Sequence, residues 1–282
     1  MGALCLSSSG SQLLEQMQPI GKFMDSICSE RTIPVLQGET PCHLGNQLEE
    51  LMRHNPSLLD ACMKGCVNMA NKIPIIMGRI ANEHAMQDGS HWTTREGRAS
   101  NNLTAEAYLL CSLEFLGKLL DPLMSASEHA RSFVRNKGID AVLKLISSRE
   151  IPQDFSKSEA GKYIILVIGK TAFHSSGSVL EEVIRRTQSL LDTILSRIPL
   201  PGVMMEPVLS DSRPDSDLLS LEIHVNLLSG IFGCLRGSST AAELDNERGI
   251  KLIRDIAECY VRLSCQPNTN TVESDKGEAQ TM

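Results

Sequence analysis

The sequence predicts an all-α fold of stacked helical hairpins, an α-solenoid, on three observations. Aromatic residues make up only 4% of the 282 residues, with a single Trp. The core must therefore be aliphatic, which suits helix-on-helix packing better than a β-sandwich. Apolar residues recur at helical spacing, as in Leu109, Leu113, Leu116 and Leu120. The predicted helices are short, are punctuated by Gly and Pro, and each carries an apolar face. Hairpins of that size cannot bury their faces alone and need stacked neighbours.

The stretch from Ala105 to Lys170 organises the rest. Its first helix carries the leucine face, and Asp121-Pro122 stops or kinks it. Ser127 reads as an N-cap for the short helix carrying Phe133 and Val134. Gly138, after Asn136-Lys137, stands where a left-handed C-cap residue belongs. The next helix starts at once, ends near Ser147, and is blocked from continuing by Ile151-Pro152. A further helix follows over about 157–173.

Around this centre the pattern is similar. Residues 11–29 read as two short helices split at Pro19, with Leu13, Leu14, Met17, Ile20, Phe23, Met24 and Ile27 inward. A loop spans 30–43, and a helix runs from Leu44 to Arg53. Ser57 reads as the cap of another helix reaching about Ile80, with Pro74 expected to kink or split it. Residues 82–102 lose periodicity and read as a polar loop holding Trp92. Residues 178–198 read as a helix, 199–216 with four prolines as a linker, and 217–236 and 241–264 as helices. The polar tail 266–282 has no periodicity, and its composition is that of a disordered segment. The expected organisation is thus 1–81 helical, 82–102 loop, 103–198 central repeats, 199–216 linker, 217–265 C-terminal helices and 266–282 tail.

Composition narrows the function. A formal net charge of −7 argues against a nonspecific nucleic-acid binder, which needs basic surface. No run of 18 apolar residues occurs, so no membrane partner is expected. The start MGALCLSSS lacks the pattern of a secretory signal, and Leu6 breaks the myristoylation pattern. The nine cysteines lack regular spacing and lie mostly in apolar helical contexts, as free buried thiols do. Cys62 and Cys66 share a helix face with His43 and His54 upstream, but the second close ligand pair of a zinc site is missing, so no metal is expected. Ile168-Gly-Lys-Thr171 lacks the glycine a phosphate loop needs at position 164, which is Ile164, so no nucleotide cofactor is expected. Glu49-Glu50 with His54, and Glu128-His129, supply no acid–base pair, because adjacent helical residues do not face each other. Glu181 and Glu182 with Arg185 and Arg186 read as ion pairs on a solvated helix face.

The run EHARSFVRNKGIDAVLKLISSREIPQDFSKSEA resembles the N-terminal armadillo-like region of the giant HECT-type E3 ubiquitin ligases. The shared pattern falls on Glu128, His129, Phe133, Val134, Gly138, Ile139, Leu143, Ile146, Ile151, Pro152, Asp154, Phe155, Ser158 and Ala160. GALCLSSSGSQLLEQMQPIGKFMDSI and LGNQLEELMRHNPSLLDACMKGCVNM resemble segments upstream in the same ligases, so the resemblance covers about residues 2–200 in order. It implies an armadillo/HEAT-like α-solenoid segment in which His129, Phe133, Val134, Gly138, Pro152, Asp154 and Phe155 are structural. It also implies that Met1 falls inside a longer helical region, and that the ubiquitin-accepting Cys lies in a domain absent here. Cys259 and Cys265 lack that cysteine's surroundings, so this chain is not expected to form a ubiquitin thioester. The implied role is a substrate-recruiting scaffold of a ubiquitin ligase in the cytoplasm and/or nucleus. Its partners would be protein substrates and the remaining domains of a larger ligase. The residues alone leave a stand-alone, non-enzymatic helical adaptor as the alternative.

Overall fold

The computed structural model describes residues 8–17, 19–87, 104–175, 177–198, 214–235 and 246–264. Among them are α-helices and 3-10 turns and no strand. The helices are α1 (Ser8–Met17), α2 (Pro19–Ile27), α3 (Thr40–His54), α4 (Leu59–Gln87), α5 (Ala105–Leu123), α6 (Ser127–Arg135), α7 (Gly138–Ile146), α8 (Glu159–His174), α9 (Ser178–Arg197), α10 (Pro214–Leu235) and α11 (Asn246–Ser264). Trp92, most of the 199–216 segment and the tail 266–282 lie outside the described residues.

The helices stack in two layers. In the first, α3 packs on α5, α5 on α8 and α8 on α10. Behind them, α4 takes α2 on one side and α5, α6 and α7 on the others, while α9 packs on α8, α10 and α11. The row is therefore built from helices that are not consecutive in the chain, as a solenoid requires. Its core is aliphatic: Leu109, Leu113, Leu116 and Leu120 are fully buried, with Ile164, Val167 and Ile168 beside them.

The first layer is closed by glycines. A Cβ on Gly45 of α3 would strike the Leu119 carbonyl oxygen and lie 2.6 Å from the Pro122 ring. A Cβ on Gly117 of α5 would lie 2.8 Å from Cβ of Tyr163 on α8, and one on Gly169 of α8 would lie 2.6 Å from Sγ of Cys234 on α10. Each helix of the row thus meets the next at a distance that excludes a methyl group.

Several local expectations are corrected. Pro74 does not split its helix, for α4 is continuous from Leu59 to Gln87 and extends into the segment read as loop from 82. Pro74 itself is exposed, while Met69, Ala70, Ile73, Ile76, Met77 and Ile80 carry one buried stripe past it. Burial on both sides outweighs the one lost backbone bond. Ser57 lies inside a 3-10 turn, Pro56–Leu58, rather than capping α4. Leu13, Met17 and Phe23 are 46%, 55% and 39% exposed; of their neighbours, Ile20, Met24 and Ile27 form the buried face of α2, which packs on α4. α10 begins at Pro214, inside the stretch read as linker. Its segment Asp217–Leu235 is long and apolar enough to cross a membrane by length and composition. Here it packs on α8 and α9 with Ile223, Leu227, Ile231 and Leu235 buried.

The α6–α7 turn is also corrected. Ser127 is the first residue of α6, preceded by Ala126 as an extended cap without a side-chain acceptor. The left-handed residue is Lys137, at φ 64°, and Gly138 opens α7. Gly138 is required for another reason. A Cβ there would enter the ring of Phe133, with two ring carbons 2.5 Å away. Phe133 is fully buried. Gly138→Ala should therefore destabilise the fold by about 1–3 kcal/mol through overpacking. In Phe133→Ala, itself costing roughly 3–5 kcal/mol, the added methyl should cost much less. Denaturant unfolding of the two single variants and the double variant checks this, and strict additivity would refute the contact.

Candidate interaction surface

The outer side of the first layer is exposed on α3, α8 and α10, while α5 between them is buried or half-buried from Tyr108 to Leu120. Helical spacing from the glycine contacts sets which residues this side carries. On α3 these include Asn46 and Arg53, on α5 Glu114 and Lys118, on α8 Lys162, Leu166 and Phe173, and on α10 Glu222 and Ser229. Leu166 and Phe173 are 37% and 46% exposed and lie two turns apart on α8. They form an apolar centre in an otherwise charged and polar face. Such a face suits protein contact, which favours an apolar centre with a polar rim.

Lys118 pins this face together. Its ammonium is nearly buried, donates to Glu114 Oε1 at 2.8 Å and to the Gly38 carbonyl at 3.1 Å, and lies 5.4 Å from the centre of the Tyr163 ring. The hydrogen bond to Glu114 holds its pKa above the usual lysine value, although burial opposes this. One side chain thus ties α5 to the turn before α3 and to α8. Lower on the same helices, Lys170 of α8 donates to Asp121 Oδ1 at 2.5 Å and to the Asp121 carbonyl at 3.2 Å. At the far end, Arg262 of α11 donates to the Leu195 and Ile198 carbonyls at 3.0 and 3.1 Å, capping the exposed end of α9. Glu182 accepts from Arg185 and Arg186, which draws its carboxyl down to about 2, and Arg186 reaches on to Asp140 of α7 at 3.2 Å. The predicted surface pair is therefore also a link between α9 and α7.

The motif residues gather behind this face. His129 is buried, with Nδ1 3.2 Å from the Leu123 carbonyl, so it ties α6 to the end of α5. Phe133 fills the space over Gly138, and Val134 is half-buried against the core. The Pro152 carbonyl accepts from Phe155 N at 3.1 Å, and the Asp154 carbonyl accepts from Lys157 N at 2.9 Å, which forms the 3-10 turn before α8. Phe155 is buried, and its carbonyl sits where a Cβ on Gly161 would fall. Ser158 caps α8, accepting from Gly161 N at 3.1 Å and donating to the Phe155 carbonyl at 2.6 Å. The Asp154 side chain is exposed.

The residues weighed for chemistry occupy structural places. Cys62 and Cys66 are fully buried in α4, and the hydrogen bond to Cys62, with burial, pushes the Cys66 thiol up. Among the described residues no group of three or more His, Cys, Asp or Glu could hold a metal ion. Ile168–Thr171 lies within α8 with Thr171 bonded to the Val167 carbonyl at 2.7 Å, a helical rather than a loop geometry. Cys259 is buried, and burial raises its thiol pKa, the opposite of an activated nucleophile. Cys265 lies outside the described residues. Sequence reasoning missed Lys118 and the outer face altogether, because both depend on which distant helices become neighbours.

Comparison with known proteins agrees with the resemblance read from the sequence. Residues 1–108 match the Domain of Unknown Function family DUF913. The chain is 25% identical over 220 residues to E3 ubiquitin-protein ligase UPL1 of Arabidopsis thaliana, covering 69% of this chain and 6% of that protein. It is 24% identical over 220 residues to UPL2 of the same plant, with the same coverage. It is 25% identical over 198 residues to E3 ubiquitin-protein ligase ptr1 of Schizosaccharomyces pombe, covering 70% of this chain and 5% of that protein. No solved structure matches the chain.

Buried His224 of α10 gives this region a pH response. Burial lowers its pKa below the ordinary histidine value, the nearby Arg186 adds to this, and its hydrogen bond to the Ser220 carbonyl opposes it. The unfolded chain takes up this proton near about 6.5, so between that value and the lowered folded value the unfolded state binds more protons. Stability contributed by neutral His224 is thus present above about pH 6.5 and lost as pH falls through the window. His224→Leu should narrow the drop in melting temperature between about pH 7.5 and pH 5.5. A drop as large as the parent's would refute the assignment. Taken together, the helical row and the comparisons make this chain similar to a short segment of large E3 ubiquitin-protein ligases, with a DUF913 match over its first 108 residues.

Proposed function

We propose that the chain is a substrate-recruiting scaffold segment of a HECT-type E3 ubiquitin ligase, acting in the cytoplasm and/or nucleus. The observation that carries this is the ordered similarity to ubiquitin ligases over 69% of the chain. The outer face of the first helical layer supports it, with Leu166 and Phe173 as the apolar centre for a protein substrate. In this reading the segment positions substrates, and ubiquitin transfer takes place on a catalytic domain elsewhere in the full ligase. The chain spans about 6% of the length of its two plant relatives, so that domain and its substrates belong to the proposal.

An antibody raised against residues 127–160 tests it on lysate of the source cells. The reading expects a very large band, and precipitated material that forms ubiquitin conjugates when supplied with E1, E2, ATP and ubiquitin. Purified chain alone should form no ubiquitin thioester. A single band near 30.9 kDa without co-precipitating conjugation would overturn the scaffold reading in favour of a stand-alone helical adaptor.

A further inference from the structure

α10 is held less completely than the other long helices of the first layer. It packs on α8 and α9 and touches the turn before α8. Glu222, Ser229, Phe232 and Gly233 are exposed on its free side. α5 and α8 have a row neighbour on each side. Opening α10 therefore uncovers less buried surface than opening α5 or α8.

One buried polar ring sits in the interface that would open. His224 is 1% exposed and shares a face of α10 with buried Leu221, Leu228 and Ile231, while Gly230 and Cys234 face α8. A carbonyl only accepts, so His224 Nδ1 donates to the Ser220 carbonyl at 2.7 Å and the neutral ring carries its proton there. Nε2 is buried and has no hydrogen-bond partner among the described residues. A second proton would leave a buried cation with an unpaired N–H.

The surrounding charges do not relieve that cost. From α9 the group that acts on the ring is Arg186, a cation itself held by Glu182 and by Asp140 Oδ1 at 3.2 Å. Gly230 lies beside Ile165 and Cys234 comes against Gly169, so α10 runs parallel to α8 and His224 stands level with the start of α8. There Asp154, Lys157, Glu159 and Lys162 are exposed. On α10 itself Glu222 is exposed and Asp217 is paired with Arg197. We infer that α10 is an acid-released flap: a proton on His224 Nε2 frees α10 from α9 and α8 while the rest of the row keeps its packing. Release bares the side of α8 around Ile165 and Gly169, next to exposed Leu166. The inference rests on α10 alone and stands independently of ubiquitin transfer.

Amide hydrogen exchange of the full chain, read by mass spectrometry and corrected for the intrinsic pH dependence of exchange, tests it helix by helix. The opened helix takes up the proton near about pH 6.5. The opening constant of α10 should therefore grow by up to about tenfold from pH 7.5 to pH 5.5. Those of α4 and α5 should stay level. His224→Gln and His224→Leu both remove the titrating ring, and each should make the opening of α10 independent of pH over this range. Equal growth in α4, α5 and α10 would overturn the inference, because the whole fold would then be loosening. So would an α10 that does not respond to pH, or a response that survives either substitution.

Discussion

The helical row depends on interhelical contacts too close for a single methyl group. Gly45, Gly117 and Gly169 occupy the crossings of α3 on α5, α5 on α8 and α8 on α10. Glycine in a helix interior costs about 1 kcal/mol relative to alanine. That cost is offset only if the close crossing gains more in packing. Once the crossings close, Lys118 can reach three elements at once. The polar links from Lys170 to Asp121 and from Arg186 to Asp140 then hold neighbouring helices in the same register. The interaction surface is a consequence of the packing constraint rather than a separate feature.

The same logic explains the motif region. Phe133 over Gly138 and Phe155 over Gly161 are two instances of a large ring or carbonyl held against a glycine. The first holds α6 against α7, and the second holds the turn before α8 against α8 itself. His129 adds a buried hydrogen bond to the end of α5. These residues therefore act on shape, and the surface that meets partners is carried by other residues.

Much of this was legible in the sequence. The leucine face of α5, the short α6–α7 hairpin and the end near Ser147 follow from local rules of periodicity, proline and glycine. Those rules failed where packing overrode them. Pro74 was expected to kink or split its helix, but the helix is not split and a buried stripe continues on both sides of it. Gly138 was read as the left-handed cap, but Lys137 takes that conformation and Gly138 answers to a phenylalanine ring. Ser57 and Ser127 have the chemistry of caps, yet Ser127 is the first residue of α6 and Ser57 the second of its 3-10 turn. The pairing of α3 with α5 and of α8 with α10 carries no local signal, so neither the outer face nor the role of Lys118 could be read before the helices were assembled.

Thermal and denaturant unfolding of Gly45→Ala beside Gly78→Ala tests the constraint most directly. Gly78 has nothing within 4 Å of a Cβ, whereas at Gly45 the Cβ meets the Leu119 carbonyl and the Pro122 ring, neither free to swing aside. Gly78→Ala should raise stability by about 0.5–1 kcal/mol through helix propensity. Gly45→Ala should lower it by about 1–3 kcal/mol despite the same propensity gain. Equal stabilisation by the two substitutions would contradict the account, because the crossings would then not require glycine.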